Sequence, residues 1–215
     1  MDQRLMNAML ELDDRHWWYR GRRRIIRAEL DRLPLRPGAR VLDAGCGSGR
    51  TLEELPWEDG YFDLITCLDV IEHTPDDRMT MAELRRVCQP GGFLVVTVPA
   101  YQALWSTHDV ANHHYRRYSR TRLRSAALRA GWRVRRITSF NGLLLGPAAA
   151  VRLAERRRLR RPDSEYKPEL TLGPEWLNTA LEQPLRWEAR WLARGRTMPA
   201  GLSLLGVFEN PGAAG

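Results

Sequence analysis

Three glycines stand at alternate positions directly after a short apolar run, in the motif Asp43-x-Gly45-x-Gly47-x-Gly49. Glycine permits a sharp turn and lets a ligand approach the backbone closely. A helix that starts at about Arg50 would place its unpaired N–H groups beside the same turn. The pattern therefore predicts a buried strand, a ligand-binding loop that contains Cys46, and the start of a helix.

Two histidine-containing segments could contact a substrate. His73 ends the segment Asp69-Val-Ile-Glu-His73, which follows an apolar run of strand length. His113, His114 and Tyr115 follow a third apolar run by a loop. Since ligands of open α/β sheets bind outside the carboxyl ends of the strands, His73 is a candidate catalytic group. The structural alternatives are a helix cap at His73 and a polar loop that stabilises itself around His113.

Arginines adjoin the second of these segments. Arg116, Arg117 and Arg120 could pair with a carboxylate or phosphate group of a substrate, because the guanidinium group binds such anions in a bidentate geometry. Alternatively, they belong to the same self-stabilising loop.

Apolar runs of strand length alternate with helical segments along the first half of the chain. The runs lie at residues 40–44, 63–70 and 93–98. Thr74, followed by proline and two acids, predicts an N-cap for a helix that ends near Cys88, and residues 90–92 predict a turn. The alternation favours a parallel, doubly wound sheet.

The sequence predicts further helices and strands before residue 40 and after residue 99. Ser119 or Thr121 can cap a helix that runs to Arg129, Gly131 ends this helix, and residues 132–140 alternate like a half-exposed strand. The remaining expected elements are a helical region at 4–32 with an interruption at 13–21, helices at about 142–160 and 174–194, and a final strand at 201–208.

Two later segments strengthen the interpretation of the glycine motif. Residues 62–73 and 84–99 follow it in order. The three segments resemble the first motif, the fourth strand with its exit loop, and the fifth-strand block of class I S-adenosylmethionine-dependent methyltransferases, especially those with domains of types 11 and 12. An unrelated α/β protein with three buried strands is the alternative. The resemblance implies that S-adenosylmethionine is the cofactor.

The same resemblance implies roles for individual residues. In this superfamily the loop after the fifth strand often faces the substrate, which makes His113, His114 and Tyr115 further candidate catalytic groups. Asp43 would organise the methionine ammonium end of the cofactor, and the glycine loop would surround its amino-acid part. The cofactor-binding residues that the resemblance implies are Asp43, Gly45, Cys46, Gly47, Gly49, Asp69, Val70 and Ile71.

We therefore expect one α/β domain with a doubly wound Rossmann-like sheet, mostly parallel with an antiparallel last strand and shortened by the loss of two strands. Within residues 1–215 we expect an N-terminal helical cap, a cofactor-binding core, a helical insertion and a final strand. These parts span residues 1–37, 38–140, 141–200 and 201–209.

The interval between the glycine loop and the next strand departs from the family pattern. Members of the family carry there a second strand that ends in a ribose-binding acid, a helix and a third strand. Here residues 50–61 make the whole connection, close to the minimum of about 10–12 residues for a parallel crossover.

This departure leaves three arrangements open. The strand before Asp69 could occupy the empty place beside the first strand, so that Asp69 binds the ribose. The strand could instead keep its family position and leave the adenosine side open, which we favour because the residues after Asp69 match the fourth strand. The third arrangement is a truncated relative with weak or no activity.

The charge and one absent motif bear on which class of molecule accepts the methyl group. The net charge is +8, but Lys167 is the only lysine, so nearly all of the basic charge comes from arginine. A GC-rich coding bias would supply arginine wherever a surface cation is tolerated, which favours general surface charge over a polyanion site. Residues 69–73 also lack the Asn/Asp-Pro-Pro-aromatic motif of enzymes that methylate base amino groups. The resemblance implies a small-molecule or lipid-linked methyl acceptor, and these two observations make nucleic acid the weaker alternative. A non-catalytic remnant that serves as a binding protein is the alternative of another class.

The cysteines and the apolar segments bear on metal binding and localisation. Cys46, Cys67 and Cys88 lack metal-type spacing, so we expect neither a metal site nor structural disulfides. The longest apolar stretch, residues 143–151, is too short to cross a bilayer, and no signal-peptide region is evident, so we expect a cytoplasmic protein.

Tryptophans near both ends have two interpretations each. Together with Tyr19, Trp17 and Trp18 could form an aromatic lid over the cofactor, or could anchor the N-terminal helix to the sheet, which we favour. Trp176, Trp187 and Trp191 lie among arginines on the last helix. They could form a peripheral membrane-binding face, although core packing is the more common role of such residues.

Overall fold

A computed structural model describes residues 14–45, 55–147, 149–150 and 173–212. The strands are Val41–Asp43 (β1), Phe62–Leu68 (β2), Cys88–Pro99 (β3), Arg133–Phe140 (β4) and Ser203–Glu209 (β5). They form one sheet in the order β1-β2-β3-β5-β4. β1, β2 and β3 are parallel, whereas β5 lies antiparallel between β3 and β4. The expected fold class is confirmed, including the antiparallel last strand.

The position of β2 decides between the first two arrangements considered for the strand before Asp69. β2 pairs with β1 on one side and with β3 on the other, so it does not lie on the outer edge of β1. Within the described ranges no strand pairs with that outer edge, and Val41 on β1 is 54% exposed. As far as the described residues go, the sheet therefore ends at β1, on the side where the family carries its second and third strands.

The helices and 3₁₀ turns connect these strands. The helices are Trp17–Leu30 (α1), Asp77–Val87 (α2), Thr107–Ala111 (α3), Arg120–Arg129 (α4) and Glu175–Ala193 (α5), and the 3₁₀ turns are Ile71–His73 and Gln102–Leu104. No helix in the described ranges has both the length and the apolar character needed to cross a membrane.

Helices cover both faces of the sheet. Leu64 and Phe93 contribute to the apolar cluster beneath α1 and α5, whereas the next residues along the strands, Ile65 and Leu94, contribute to the cluster beneath α2 and α4. Because side chains alternate between the faces of a strand, a strand covered on both sides must be apolar throughout. The central strands have this composition.

α1 and α5 pack closely at Gly21. A Cβ atom at this position would lie 2.3 Å from Leu185 Cδ1, so the contact requires glycine. Nearby, the fully buried carboxylate of Glu182 pairs with Arg20 and Arg24, each at 2.8 Å. The N-terminal helix is thereby held against α5.

Two of the expected helix starts have different outcomes. Ser119 caps α4, since its Oγ accepts a hydrogen bond from Arg122 N at 3.1 Å. The expectation for Thr74 was wrong: α2 is capped by Asp76, whose Oδ1 accepts from the backbone N–H groups of Arg78 and Met79. Thr74 closes the preceding 3₁₀ turn instead, because its Oγ1 donates to Ile71 O at 2.9 Å.

The aromatic residues near the termini also test the expectations. α1 begins at Trp17 with His16 as its N-cap, so the expected interruption is wrong for residues 17–21. Trp17 and Trp18 pack against the cluster beneath α1, which supports anchoring. On α5, by contrast, Trp176 is 71% exposed and Trp187 is 48% exposed, so core packing is wrong for these two.

Some expectations concern residues outside the described ranges. They include Cys46, Gly47 and Gly49, the helix start near Arg50, and most of the region expected to be helical at 142–160. The turn expected at residues 90–92 lies within β3, where the pairing with β2 shifts in register.

Candidate functional site

The carboxyl ends of β1 and β2 bring two acids to one edge of the sheet. Asp43, the last residue of β1, is opposite Thr66 in the parallel register. Its side chain is exposed, and its Oδ1 accepts a hydrogen bond from Thr66 Oγ1 at 2.7 Å. No hydrogen bond or ion pair from the described residues is recorded at the second carboxylate oxygen, which could therefore pair with a cationic group of a ligand.

Gly45 extends this opening. A Cβ atom at Gly45 would meet no heavy atom of the described residues within 4 Å. The backbone here is therefore accessible to a ligand that also reaches Asp43, as expected of a glycine placed to let a ligand approach.

Asp69 lies directly after β2 in an unusual conformation. Its φ is 56°, which is uncommon for a residue with a side chain. Its backbone N–H donates to Thr97 O at 2.9 Å, and its Oδ1 accepts from Thr97 Oγ1 at 3.2 Å. These bonds to β3 hold the carboxylate at the strand ends.

Arg22 of α1 also reaches this carboxylate. Its Nη2 lies 2.7 Å from Asp69 Oδ2 and donates to Thr97 Oγ1 at 3.0 Å. Sequence reasoning did not identify Arg22, because several arginines share the same helix and only the packing of α1 shows which one faces the site.

The 3₁₀ turn after Val70 buries a carboxylate that the sequence analysis did not select. Val70 and Ile71 are buried apolar residues, and Glu72 is fully buried. The Glu72 carboxylate lies near its own backbone N–H, but neither oxygen has a hydrogen-bond partner of good geometry among the described residues. Burial, together with the negative charge of Asp69, raises the pKa of Glu72 well above its usual range.

His73 and His114 lie against each other beside Glu72. Their ring centroids are 4.6 Å apart and the rings are nearly perpendicular, at 84°. Burial lowers the pKa of His73, as does the neighbouring His114, so the His73 ring is neutral at pH 7. The structure therefore brings together two of the four residues that we predicted to be catalytic.

A buried acid fixes the orientation of His114. Asp109 Oδ1 lies 2.9 Å from His114 Nδ1 and accepts from Arg117 Nε at 2.8 Å. Although burial acts to raise the pKa of Asp109, the hydrogen bonds from His114 and Arg117 outweigh it and hold that pKa well below its usual range. Ser106 completes the arrangement, since its backbone N–H donates to Asp109 Oδ2 at 2.9 Å.

The remaining predicted residues of this loop are less involved. His113 is exposed, and Tyr115 is 57% exposed. The three neighbouring arginines have internal partners: Arg116 bonds to Pro75 O, Arg117 to Asp109, and Arg120 to the carbonyl oxygens of residues 198 and 199. These contacts support the interpretation of a loop that stabilises itself.

Comparisons with known proteins agree with this architecture. Residues 50–96 match the model of a family described as methyltransferase domain. The chain is 36% identical over 73 residues to a probable cobalt-precorrin-6B C(15)-methyltransferase of Thermoplasma acidophilum, covering 34% of this chain and 35% of that protein. It is 38% identical over 60 residues to the ubiquinone/menaquinone biosynthesis C-methyltransferase UbiE of Psychromonas ingrahamii, covering 26% and 24%. The matched regions thus span about a third or less of each curated relative.

Solved structures share the fold at low identity. One is the Haloferax volcanii complex of the Trm112 methyltransferase activator with a protein proposed to be a methyltransferase; the TM-score is 0.55 at 18% identity, covering 95% of this chain and 93% of that one. Another is geranyl diphosphate methyltransferase in complex with S-adenosylmethionine, with a TM-score of 0.50 at 15% identity, covering 86% and 84%.

Proposed function

Because this chain belongs to the class I S-adenosylmethionine-dependent methyltransferase superfamily, we propose that it transfers a methyl group from S-adenosylmethionine to a small-molecule acceptor. The observation that carries the proposal is the position of Asp43, Gly45 and Asp69. All three lie at the carboxyl ends of adjacent parallel strands, which is where open α/β sheets bind their ligands.

The described residues fit the methionine end of the cofactor. Asp43 offers an exposed carboxylate to an ammonium group, and Gly45 leaves the space beside it free. Asp69, Val70 and Ile71 would border the cofactor at the end of β2. When bound, S-adenosylmethionine supplies an electrophilic methyl group on a sulfonium centre.

The acceptor would lie beside His73 and His114, which are close neighbours. A neutral imidazole can accept a proton from a hydroxyl, amine or carbon acid, and the lowered pKa of His73 keeps it in this form at pH 7. Correct placement of the acceptor against the methyl group supplies much of the rate in such a displacement. His113 and Tyr115, which are exposed on the same loop, would contact the outer part of the acceptor.

Two observations support a small-molecule acceptor. The curated relatives described above are named for methyl transfer in cobalt-precorrin and quinone biosynthesis. In addition, Arg116, Arg117 and Arg120 are occupied by internal contacts, so they do not form a free basic patch for a polyanion.

Calorimetric titration with S-adenosylmethionine and S-adenosylhomocysteine tests the cofactor part of the proposal. We expect both to bind, and Asp43→Ala to weaken binding roughly ten- to a hundredfold through loss of a charged hydrogen bond. Asp59→Ala is the matched control, because Asp59 is an exposed acid that precedes β2, at the opposite end of the strand. Absence of binding at millimolar ligand would overturn the proposal and favour a non-catalytic remnant.

Transfer of a radiolabelled methyl group tests the acceptor class. The protein is incubated with labelled S-adenosylmethionine and either a dialysable metabolite extract or total RNA. We expect label only in products from the metabolite extract. Label in RNA would contradict a small-molecule acceptor.

A further inference from the structure

Three groups that can ligate a metal lie at the end of β2. Glu72, His73 and His114 each offer one ligand atom, and these atoms all lie within 4.8 Å of one another. Two of the groups come from one 3₁₀ turn and the third from a separate loop. Tyr115 N donates to Glu72 O at 2.7 Å, which fixes the loop against the turn.

The state of Glu72 points to a cation as the missing partner. Its side chain is fully buried, and neither carboxylate oxygen has a hydrogen-bond partner of good geometry among the described residues. Burying a carboxylate is costly unless the group is paired, hydrogen-bonded or bound to a metal. A cation held between Glu72 and the two imidazoles would meet this need.

The surroundings of the histidines match those of metal ligands. A ligating imidazole usually directs its second nitrogen to a carboxylate or a backbone carbonyl, which fixes the ring. His114 Nδ1 lies 2.9 Å from the buried Asp109 carboxylate, which leaves Nε2 to face the cluster. His73 has a hydrogen bond with the backbone of Asn112. Both rings therefore have an outer partner of the expected kind.

We propose that Glu72, His73 and His114 bind one divalent first-row transition-metal ion of the zinc, iron or manganese type. Two imidazole nitrogens and one carboxylate suit these ions better than Mg²⁺ or Ca²⁺, which prefer ligand sets made of oxygen. Three protein ligands leave a coordination position open, as in catalytic sites. This position would take a water molecule or an oxygen atom of a bound ligand.

The geometry requires only small movements on binding. Ligand atoms about 2.1 Å from a shared zinc ion are at most about 4.2 Å apart, so side-chain shifts of less than about an ångström close the cluster on the ion. The cysteine spacing had suggested no metal site, but this cluster uses no cysteine and involves a contact between distant segments.

Titration of the chelator-treated full chain with Zn²⁺ or Mn²⁺ alone tests the site. We expect one equivalent to bind saturably. His114→Ala and Glu72→Gln should each weaken binding by more than the roughly 10- to 100-fold that loss of an outer partner costs. His113→Asn is the matched control, since His113 is adjacent, exposed and outside the cluster, and asparagine tolerates its φ of 55°.

Two outcomes of this titration would overturn the proposal. One is the absence of saturable binding by the wild-type chain. The other is equal loss of affinity in His113→Asn and His114→Ala, which would indicate binding to surface histidines.

Thermal unfolding provides a second readout that a merely structural role for Glu72 would not reproduce. In the presence of a chelator, Glu72→Gln should be about as stable as the wild type, because glutamine fills the same space as glutamic acid. With Zn²⁺ added, the unfolding temperature of the wild type should rise, and that of Glu72→Gln should rise less, because the variant lacks one of the three ligands. An equal rise in both proteins, or no rise in either, would overturn the proposal.

The metal site shares His73 and His114 with the proposed acceptor site, so with an ion bound these imidazoles are ligands and not free bases. Its test is still separate from that of methyl transfer, because the titrations use the metal alone. S-adenosylmethionine binding is measured on the same protein samples. Loss of metal binding with retained cofactor binding would overturn only the metal site, and the converse result would overturn only the proposed function.

Discussion

Arg22 Nη2 of the N-terminal helix lies 2.7 Å from Asp69 Oδ2 at the end of β2. Both side chains are partly buried, with exposed fractions of 15% and 33%. Arg22 also donates to Thr97 Oγ1, which itself donates to Asp69. α1 therefore helps to hold the Asp69 carboxylate at the end of β2, although more than 40 residues separate Arg22 from Asp69 in the sequence.

The first prediction is that Arg22 and Asp69 are energetically coupled. In a double-mutant cycle with Arg22→Met and Asp69→Asn, we expect a coupling free energy of about 1 kcal/mol, since the pair is partly desolvated. Urea unfolding of the four proteins measures it. Arg23→Met replaces Arg22→Met in the control cycle, because Arg23 lies next to Arg22 on the same helix and forms an ion pair with Asp14, at 3.9 Å. Additive effects of Arg22→Met and Asp69→Asn would contradict the prediction.

The second prediction separates the charge of Asp69 from its backbone conformation. Asparagine tolerates the observed φ of 56°, whereas alanine does not. We expect Asp69→Ala to lower the free energy of unfolding by about 1–2 kcal/mol more than Asp69→Asn does. Equal free energies of unfolding for Asp69→Ala and Asp69→Asn, measured with urea, would show that the left-handed conformation of residue 69 does not persist in solution.

The third prediction concerns the contact that positions Arg22. Gly21→Ala places a Cβ atom against Leu185 and forces α1 away from α5, so we expect a loss of stability of about 1–3 kcal/mol. Leu185→Ala also destabilises the protein because it leaves a cavity. The double variant should be more stable than the sum of the two effects implies, since the smaller side chain makes room for the new methyl group. Simple additivity in urea unfolding would contradict this packing.

The sequence predicts where the strands lie and that Asp43 and Asp69 share one edge of the sheet. Apolar runs flanked by glycine, proline and acids are local signals, and parallel strands bring their carboxyl ends to one edge whatever the loops do. The placement of β2 between β1 and β3 was also favoured, because the residues that follow Asp69 are those of a central strand.

The partners of these residues could not be predicted. Arg22 is one of several arginines on α1, and only the packing of Gly21 on Leu185 selects it. Glu72 looked like part of a strand exit, but it is fully buried, and its backbone carbonyl accepts a hydrogen bond from the distant Tyr115 N. Thr74 fits the sequence pattern of an N-cap, but a preceding 3₁₀ turn uses its hydroxyl and moves the helix start to Asp77. The cases of Arg22 and Glu72 depend on contacts between distant segments, whereas at Thr74 one local hydrogen bond replaces another.

The fourth prediction is a pH dependence at the other end of β2. Hydrogen bonds from Arg36 and from the backbone of Arg40 lower the pKa of Asp63 to about 2, and Gln89 adds a further hydrogen bond. Since the pKa in the folded state is depressed, this stabilisation is present above about pH 4 and is lost as the pH falls towards 2.

Asp63→Asn tests this dependence. We expect the variant to be less stable than the wild type by about 1–2 kcal/mol at pH 6. This is less than the lowered pKa of Asp63 would give by itself, because solvent screens the largely exposed Arg36. The difference should shrink steadily between pH 4 and pH 2 in urea unfolding. Asp59→Asn serves as the control, as an exposed acid paired with Arg86. A difference that stays constant with pH would show that Asp63 acts through packing and not through its charge.

The last prediction separates binding from stability at Gly45. A methyl group there meets no heavy atom of the described residues within 4 Å, so Gly45→Ala should leave the free energy of unfolding unchanged or raise it slightly by restricting the unfolded chain. The same methyl group would enter the space that the proposed cofactor site needs. An overlap of this kind costs about 1–3 kcal/mol, or roughly 5- to 150-fold in affinity for S-adenosylmethionine.

Calorimetry and urea unfolding on the same samples measure the two effects of Gly45→Ala. Gly146→Ala is the matched control, because a Cβ atom at Gly146 is equally unobstructed and the position lies outside the proposed site. Weaker cofactor binding by Gly45→Ala alone, at constant stability, would place the methionine end of the cofactor against this backbone. Unchanged affinity would remove Gly45 from the cofactor site, and a loss of stability would show that the loop packs against the position.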